Sequence, residues 1–150
     1  MKIAIGCDHA GFLLKDTVIE QVKKSGHTPV DLGTSSTAPV DYPDFAQAVA
    51  QTVLSGKADR GIIICGSGVG ACIAANKFKG IRAGLCHDTY SAAQGVEHDN
   101  MNVLCIGSRV IGQSLASSII SVFLNAVFSN ESRHAQRLAK ITKIEAATMK

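Results

Sequence analysis

The stretch that decides the fold is RGIIICGSGVG, residues 60–70. Its first half is an apolar run centred on three isoleucines, which predicts a β-strand buried on both faces. A glycine-rich turn, Gly66 to Gly70, follows directly, and the sequence after it predicts a helix to about Lys77. A buried strand, a tight turn and a helix in this order are typical of a parallel α/β sheet.

The same alternation extends over the rest of the chain. Further apolar runs predict strands at residues 2–7, 27–33, 81–86 and 102–107. Stretches with helical spacing lie at residues 12–24, 45–54, 90–96, 111–128 and 131–148, with Asp44 as the N-cap of the second, while residues 34–44 predict a loop. We therefore expect a five-stranded parallel sheet with helices on both faces, in one domain spanning residues 1–150.

Composition narrows the classes of function. A net charge of +3 and an aromatic fraction of 5% argue against a nucleic-acid partner. No apolar run approaches the roughly 18 residues of a membrane span, and the start of the chain does not predict a signal peptide. Five cysteines without a C-x-x-C pair and five scattered histidines argue against a disulfide framework and a metal site. We expect a cytoplasmic protein with reduced thiols and no membrane contact.

The helix predicted at residues 111–128 has apolar residues on more than one face, which predicts burial all round. In a chain of this size, an interface between copies is the favoured explanation. A core helix of the monomer is the alternative.

Polar side chains follow directly after the predicted strands, at residues 8–9, 66–67, 87–88 and 108–109. In open α/β sheets, ligands bind outside the carboxyl ends of the strands. We therefore expect the functional site at this edge of the sheet.

Cys65 ends its strand beside the glycine-rich turn. The backbone N–H groups of such a turn and the start of the next helix attract anions, which favours a thiolate that acts as nucleophile or base. The alternative is a small apolar residue that ends a buried strand, as expected for Cys7, Cys86 and Cys105.

Three further features each have a functional and a purely structural explanation. The glycine-rich turn fits the dinucleotide-binding pattern G-x-G-x-x-G/A, with Ala71 last and Asp88 downstream, but it follows the third strand instead of the first. Asp8 and His9 could together transfer a proton or bind a phosphate group. The structural alternative is that Asp8 caps a helix and His9 is an ordinary surface residue. For residues 97–102, a polar loop without a functional role is the default explanation.

The last predicted helix carries Arg133, Arg137 and Lys140 at a spacing that makes one cationic stripe. Arginines so placed bind phosphate with forked hydrogen bonds. A solvated charged face is the commoner explanation of such a stripe.

Taken together, seven motifs resemble the type B ribose-5-phosphate isomerase family, which includes galactose-6-phosphate and allose-6-phosphate isomerases. They are CDHAG (7–11), DYPDFA (41–46), CGSGVG (65–70), IAANK (73–77), GIRAGLCHDTYSA (80–92), HDNMNVLCIGSRVIG (98–112) and RHAQR (133–137). The resemblance implies a Rossmann-like, three-layer α/β/α sandwich. It also implies a homodimer or dimer of dimers with sites at the subunit interface, to which the C-terminal helix at about 131–148 contributes. The reaction implied is aldose–ketose isomerisation of a sugar phosphate through an enediolate, without metal or cofactor.

The resemblance also implies roles for the residues near the turn. Cys65 is the base that moves a proton between C2 and C1, and Ser67, at a position where threonine is common, assists it. The amides of Gly66, Gly68 and Gly70 hold the enediolate oxygen, as an oxyanion hole does.

The remaining roles concern the two ends of the sugar phosphate. Asp8 binds sugar hydroxyls and helps open the ring, and His98 of the partner subunit is the main ring-opening acid/base. His9, Arg133 and Arg137 match phosphate-binding positions, with Arg109 reaching across the interface. Tyr42 and His134 lie close to the pocket.

Two positions depart from the family pattern. Ala71 stands where one branch uses a glutamate base, which places this chain in the cysteine branch. Asp99, a substrate-binding candidate, stands where asparagine is usual, and a carboxylate there would repel an enediolate unless protonated. Asn100 or Asn102 then serves instead, or the local turn differs.

The function expected is interconversion of D-ribose 5-phosphate and D-ribulose 5-phosphate. Allose 6-phosphate or galactose 6-phosphate is the alternative substrate. A nucleotide-binding module without catalysis is the remaining, different class of function.

Overall fold

Five strands and six helices alternate along the chain in the computed structural model, which describes residues 1–149. They are β1 (Lys2–Cys7), α1 (Phe12–Lys24), β2 (Thr28–Asp31), α2 (Tyr42–Leu54), β3 (Arg60–Cys65), α3 (Val69–Ala75), β4 (Ala83–Leu85), α4 (Thr89–Asp99), β5 (Val103–Gly107), α5 (Gln113–Asn125) and α6 (Ser132–Thr148). None of the helices within residues 1–149 is both long enough and apolar enough to cross a bilayer.

The strands form one sheet in the order β2-β1-β3-β5-β4, and every neighbouring pair is parallel. The predicted five-stranded parallel sheet is therefore confirmed. From β1 the chain builds outward to β2 on one side and returns to β3 on the other. Such a reversal opens a crevice between β1 and β3, at the carboxyl ends of these two strands.

Helices cover both faces of the sheet, so two apolar layers form. One layer packs α1, α4 and α5 against residues such as Ile5 and Ile64. The other packs α2 and α3 against residues such as Ala4 and Ile63. This is the expected three-layer α/β/α sandwich.

Helix α5 belongs to the core of the monomer, which was the alternative explanation of its apolar sequence. Its Ile119, Ile120 and Phe123 are fully buried between α1 and α4. The helix ends at Asn125 and not at the expected residue 128. The Arg60 guanidinium binds the carbonyl oxygens of Phe123 and Ala126, a tertiary contact that takes up the last acceptors of the helix.

Helix α2 begins at Tyr42, three residues before the predicted start, with Asp41 at the N-cap position. Pro43 therefore lies in the first helical turn, where its missing N–H costs no hydrogen bond. Asp44 is a first-turn acid and not the cap. The earlier start gives Tyr42 a fixed position.

The exposed edge of the sheet, strand β4, is closed by side chains from α3 and its C-cap. The Asn76 side chain accepts a hydrogen bond from Ala83 N–H at 2.8 Å and donates one to Ala83 O at 2.9 Å. The Cys72 Sγ also donates to Ala83 O, at 3.4 Å. In a parallel strand, alternate residues point their peptide groups to the same side, so these are the outward-facing groups of β4.

Candidate active site

The loops after β1, β3 and β5 meet at the carboxyl edge of the sheet and enclose a cavity of ≈ 380 Å³. These strands are neighbours, so the residues that follow them come together although they are far apart in sequence. The cavity is lined by Asp8, His9, Ala10, Tyr42, Cys65, Gly66, Ser67, Gly70, Arg109 and Val110. This cavity lies at the edge of the sheet where the sequence predicts the functional site.

Cys65, the last residue of β3, forms part of the cavity wall and is 4% exposed. Its Sγ accepts a hydrogen bond from the Gly68 N–H at 3.1 Å. Gly68 has φ +81°, a left-handed conformation that lets the turn fold back over the sulfur. The positive end of an N–H dipole therefore points at the sulfur.

The glycine-rich turn is held in place by the end of β5. A Cβ at Gly107 would lie 2.6 Å from both the carbonyl carbon and the carbonyl oxygen of Ser67, so only glycine allows this contact. The Ser108 N–H donates to Cys65 O at 2.9 Å, and the Arg109 N–H donates to Gly66 O at 3.0 Å. The sequence analysis missed Gly107, because its role depends on β5 lying beside β3.

Asp8 and His9 follow β1 and form the opposite wall. The Asp8 carboxylate is buried, and one of its oxygens accepts the Gly11 N–H at 2.9 Å. The Val40 N–H donates to His9 Nδ1 at 3.2 Å, which leaves Nε2 for another partner. The Tyr42 ring packs directly on Gly70.

Arg109 is exposed at the rim of this cavity and needs no subunit interface to reach it. Whether it also reaches across a subunit interface stays a prediction. With His9 and Ala10 it also borders a second cavity of ≈ 520 Å³, which extends between the starts of α1 and α5. The two cavities share a cationic rim.

The other candidate residues lie at the opposite edge of the sheet. Helix α4 runs back from the end of β4 to the start of β5, and its 11 residues rise about 16 Å. His98 and Asp99 are its last residues. Asp99 borders a different cavity, beside the C-terminal half of α6.

Helix α6 starts beside the end of α4. The rings of His98 and His134 stack with their centroids 4.0 Å apart, and burial and the neighbouring His98 lower the pKa of His134. Gln94 Nε2 lies 2.9 Å from His98 Nδ1. Arg133 and Arg137 are exposed on α6, and Arg133 pairs with Glu131 at 3.1 Å.

Asp88, which completed the dinucleotide-binding pattern, has a structural role. Its carboxylate caps α4 by accepting the Ser91 N–H at 2.7 Å, and this hydrogen bond is the main cause of its lowered pKa. Within residues 1–149, no group of three or more His, Cys, Asp or Glu side chains is arranged to hold a metal ion.

One cavity thus combines a sulfur, a carboxylate, a turn of backbone amides and a cationic rim. A family model described as Ribose/Galactose Isomerase matches residues 3–141. The chain belongs to this family. The matched range contains all the candidate residues, at both edges of the sheet.

Relatives and solved structures of the ribose/galactose isomerase family match over nearly the whole chain. Ribose-5-phosphate isomerase B of Escherichia coli (strain K12) is 48% identical over 144 residues, which are 96% of each chain. D-erythrulose-4-phosphate isomerase of Pectobacterium atrosepticum is 45% identical over 130 residues, 85% of each chain. The solved ribose-5-phosphate isomerase B of Clostridium thermocellum superposes with a TM-score of 0.94 at 48% identity, covering 98% of this chain and 99% of that one.

Proposed function

We propose that this member of the ribose/galactose isomerase family interconverts D-ribose 5-phosphate and D-ribulose 5-phosphate, with Cys65 as the base and without a metal. The observation that carries the proposal is the Cys65 sulfur in the cavity wall, beside the amides of the Gly66–Gly70 turn. A base and an oxyanion site facing one carbon are what proton transfer next to a carbonyl requires.

The chemistry transfers one proton between adjacent carbons. The Cys65 thiolate takes the proton from C2 of the open-chain aldose, and the electron pair of that C–H bond moves into an enediolate. The amides of the turn stabilise the negative oxygen, with Ser67 beside them. The proton returns to C1, and the proton of the C2 hydroxyl passes to the oxygen on C1, which leaves the ketose with a C1 hydroxyl and a C2 carbonyl.

The phosphate binds away from the reacting carbons and orients them. His9 and Arg109 supply cationic or hydrogen-bonding groups from the chain that carries Cys65. Arg133 and Arg137 of the partner subunit complete this phosphate site. Asp8 and Tyr42 contact the sugar between the two ends.

A homodimer, alone or paired into a dimer of dimers, explains why the candidate residues lie at two edges of the sheet. In a two-fold dimer, the amino edge of one subunit can face the carboxyl edge of the other. His98 and Asp99 of the partner subunit then reach the cavity, where His98 opens the sugar ring. Exposed apolar side chains on α3, β4 and the start of α4 suit such a contact: Val69, Ile73, Leu85 and Tyr90, which are 46%, 58%, 38% and 76% exposed.

Substitution of the proposed base tests the mechanism. Cys65→Ala should lower kcat by about 10³-fold in a buffer with EDTA, because it removes the proposed general base. Cys7→Ala is the matched control, since Cys7 ends β1 as Cys65 ends β3 but does not border the cavity. Full activity in folded Cys65→Ala, or loss of wild-type activity in EDTA, contradicts the proposal.

Mixing two inactive variants tests the shared site. Cys65→Ala and His98→Ala carry their changes at opposite edges of the sheet, so heterodimers regain one intact site. After subunit exchange at equal amounts, about a quarter of the sites should be active. Cys65→Ala mixed with Asp8→Asn, both at the same edge, should show no recovery. Absence of recovery in the first mixture contradicts a site formed by two subunits.

The names of relatives show that the family acts on sugar phosphates of several lengths. A comparison of kcat/KM for ribose 5-phosphate, allose 6-phosphate, galactose 6-phosphate and erythrulose 4-phosphate tests the pentose assignment.

We infer a cytoplasmic location, since the five cysteines are unpaired and a base thiol must stay reduced. Secretion of the chain in a cell-fractionation experiment contradicts this.

A further inference from the structure

Lysine 15 is buried behind the cavity, on the side of α1 that faces the sheet. It is 7% exposed, and its Nζ donates to Thr34 O at 2.8 Å and lies 2.9 Å from Asp31 Oδ2. The Phe12 ring lies alongside, with its centroid 5.4 Å from Nζ. The proposed isomerisation does not use this ammonium group.

Stability alone does not account for a charge at this place. Removing an ammonium group from water is unfavourable, and apolar residues in place of a buried ion pair are often equally stable. A buried ammonium group does fix geometry, because its hydrogen-bond acceptors must stay within reach. Asp31, the charged partner of Lys15, ends β2 and is partly exposed, while Thr34, the other partner, lies in the connection between β2 and α2.

That connection, residues 32–41, has no helix or strand and is fixed at a few points. The Thr34 N–H donates to Cys7 O at 3.0 Å, while the Thr34 carbonyl oxygen is bound by Lys15. Together the two bonds set the orientation of the peptide groups on both sides of Thr34. Without Lys15, the peptide after Thr34 is free to rotate.

The far end of the same connection touches the candidate site. The Val40 N–H binds His9 Nδ1, and two residues later Tyr42 begins α2 and lines the cavity. A shift of the connection therefore turns the His9 ring and moves Tyr42.

We propose that Lys15 is a positioning residue for the phosphate end of the site, acting through Thr34 and the 32–41 connection on His9. The inference rests on the proposed function, in which His9 binds the phosphate. The end of the turn next to Cys65 is held separately, by backbone hydrogen bonds from the residues that follow β5. Loss of Lys15 is expected to weaken substrate binding and to leave the proton transfer nearly unchanged.

The test separates KM from kcat. Lys15→Met should raise KM for ribose 5-phosphate roughly tenfold, with kcat changed less than about threefold. Lys15→Arg, which keeps a donor, should restore most of the affinity. Lys23→Met is the matched control, since Lys23 lies on the same helix but pairs with Glu20 in solvent, and it should leave both constants unchanged. An unchanged KM in folded Lys15→Met, or a fall in kcat alone, overturns the proposal.

A second measurement does not depend on turnover. The ¹⁵N signals of the His9 ring report which ring nitrogen carries the proton, and Lys15→Met should shift them while Lys23→Met does not. If Lys15→Met fails to fold, Lys15→Met combined with Asp31→Asn removes both charges and keeps the side-chain oxygen that accepts the Gly33 N–H. Wild-type protein without isomerase activity refutes the proposed function. Unchanged His9 signals in the folded variant refute the positioning role.

Discussion

The substitution Gly107→Ala tests how the end of β5 supports the glycine-rich turn. The new Cβ would lie 2.6 Å from two backbone atoms of Ser67, against at least 3.4 Å for an ordinary contact, so the turn must move by about 0.8 Å. Backbone atoms cannot rotate away as a side chain can. The Gly68 N–H, which donates to the Cys65 sulfur, moves with them.

A displacement of this size at reacting groups costs roughly 100-fold in kcat/KM, or about 2.7 kcal/mol of transition-state stabilisation. Overpacking by one methyl group should cost about 1–3 kcal/mol of unfolding free energy. The assay is steady-state isomerisation of ribose 5-phosphate, together with urea unfolding of the same sample. Gly107→Ala should therefore remain folded and nearly inactive.

Gly112→Ala is the control in the same part of the chain. A Cβ at Gly112 meets no atom within 4 Å, so activity and stability should stay within about twofold and 0.5 kcal/mol of wild type. A Gly107→Ala variant with kcat/KM within threefold of wild type, as measured in the same assay, would refute the account of the turn.

Two further predictions concern the core and the thiols. Phe123→Ala, which empties a fully buried position, should cost about 3–5 kcal/mol and lower Tm by roughly 10 °C in calorimetry; a fall below 2 °C contradicts the assigned burial. A hydrogen bond from Cys105 lowers the pKa of Cys72 to about 7, while burial raises the pKa of Cys7 and Cys86 to about 11. Iodoacetamide should therefore label Cys72 increasingly as pH rises through 7 and spare the other two, and mass spectrometry showing the reverse order contradicts this.

The order of strands and helices follows from hydrophobic pattern, but two helix ends do not. Proline in DYPDF suggested a loop, although proline is equally suited to a first helical turn. The apolar pattern of α5 continues past Asn125, but the chain turns there because Arg60, 60 or more residues away in sequence, binds its last carbonyls. Contacts this distant leave no local signal.

The residues that line the candidate cavity were predictable because the carboxyl ends of parallel strands lie at one edge. That rule brings Asp8, Cys65 and Arg109 together, as the structure does. The rule does not bring His98 to this edge, because His98 lies at the end of a helix that has already returned to the other edge. The rule does not identify Gly107 either, because the sequence does not give the order of the strands in the sheet.

The side chains of Cys72 and Asn76 give β4 a further property. They occupy both outward-facing peptide groups of Ala83, the first residue of this three-residue strand. A strand of a second molecule that approached β4 would have to displace the Asn76 amide, so the route by which exposed strands recruit one another into fibres is hindered on this side of the sheet.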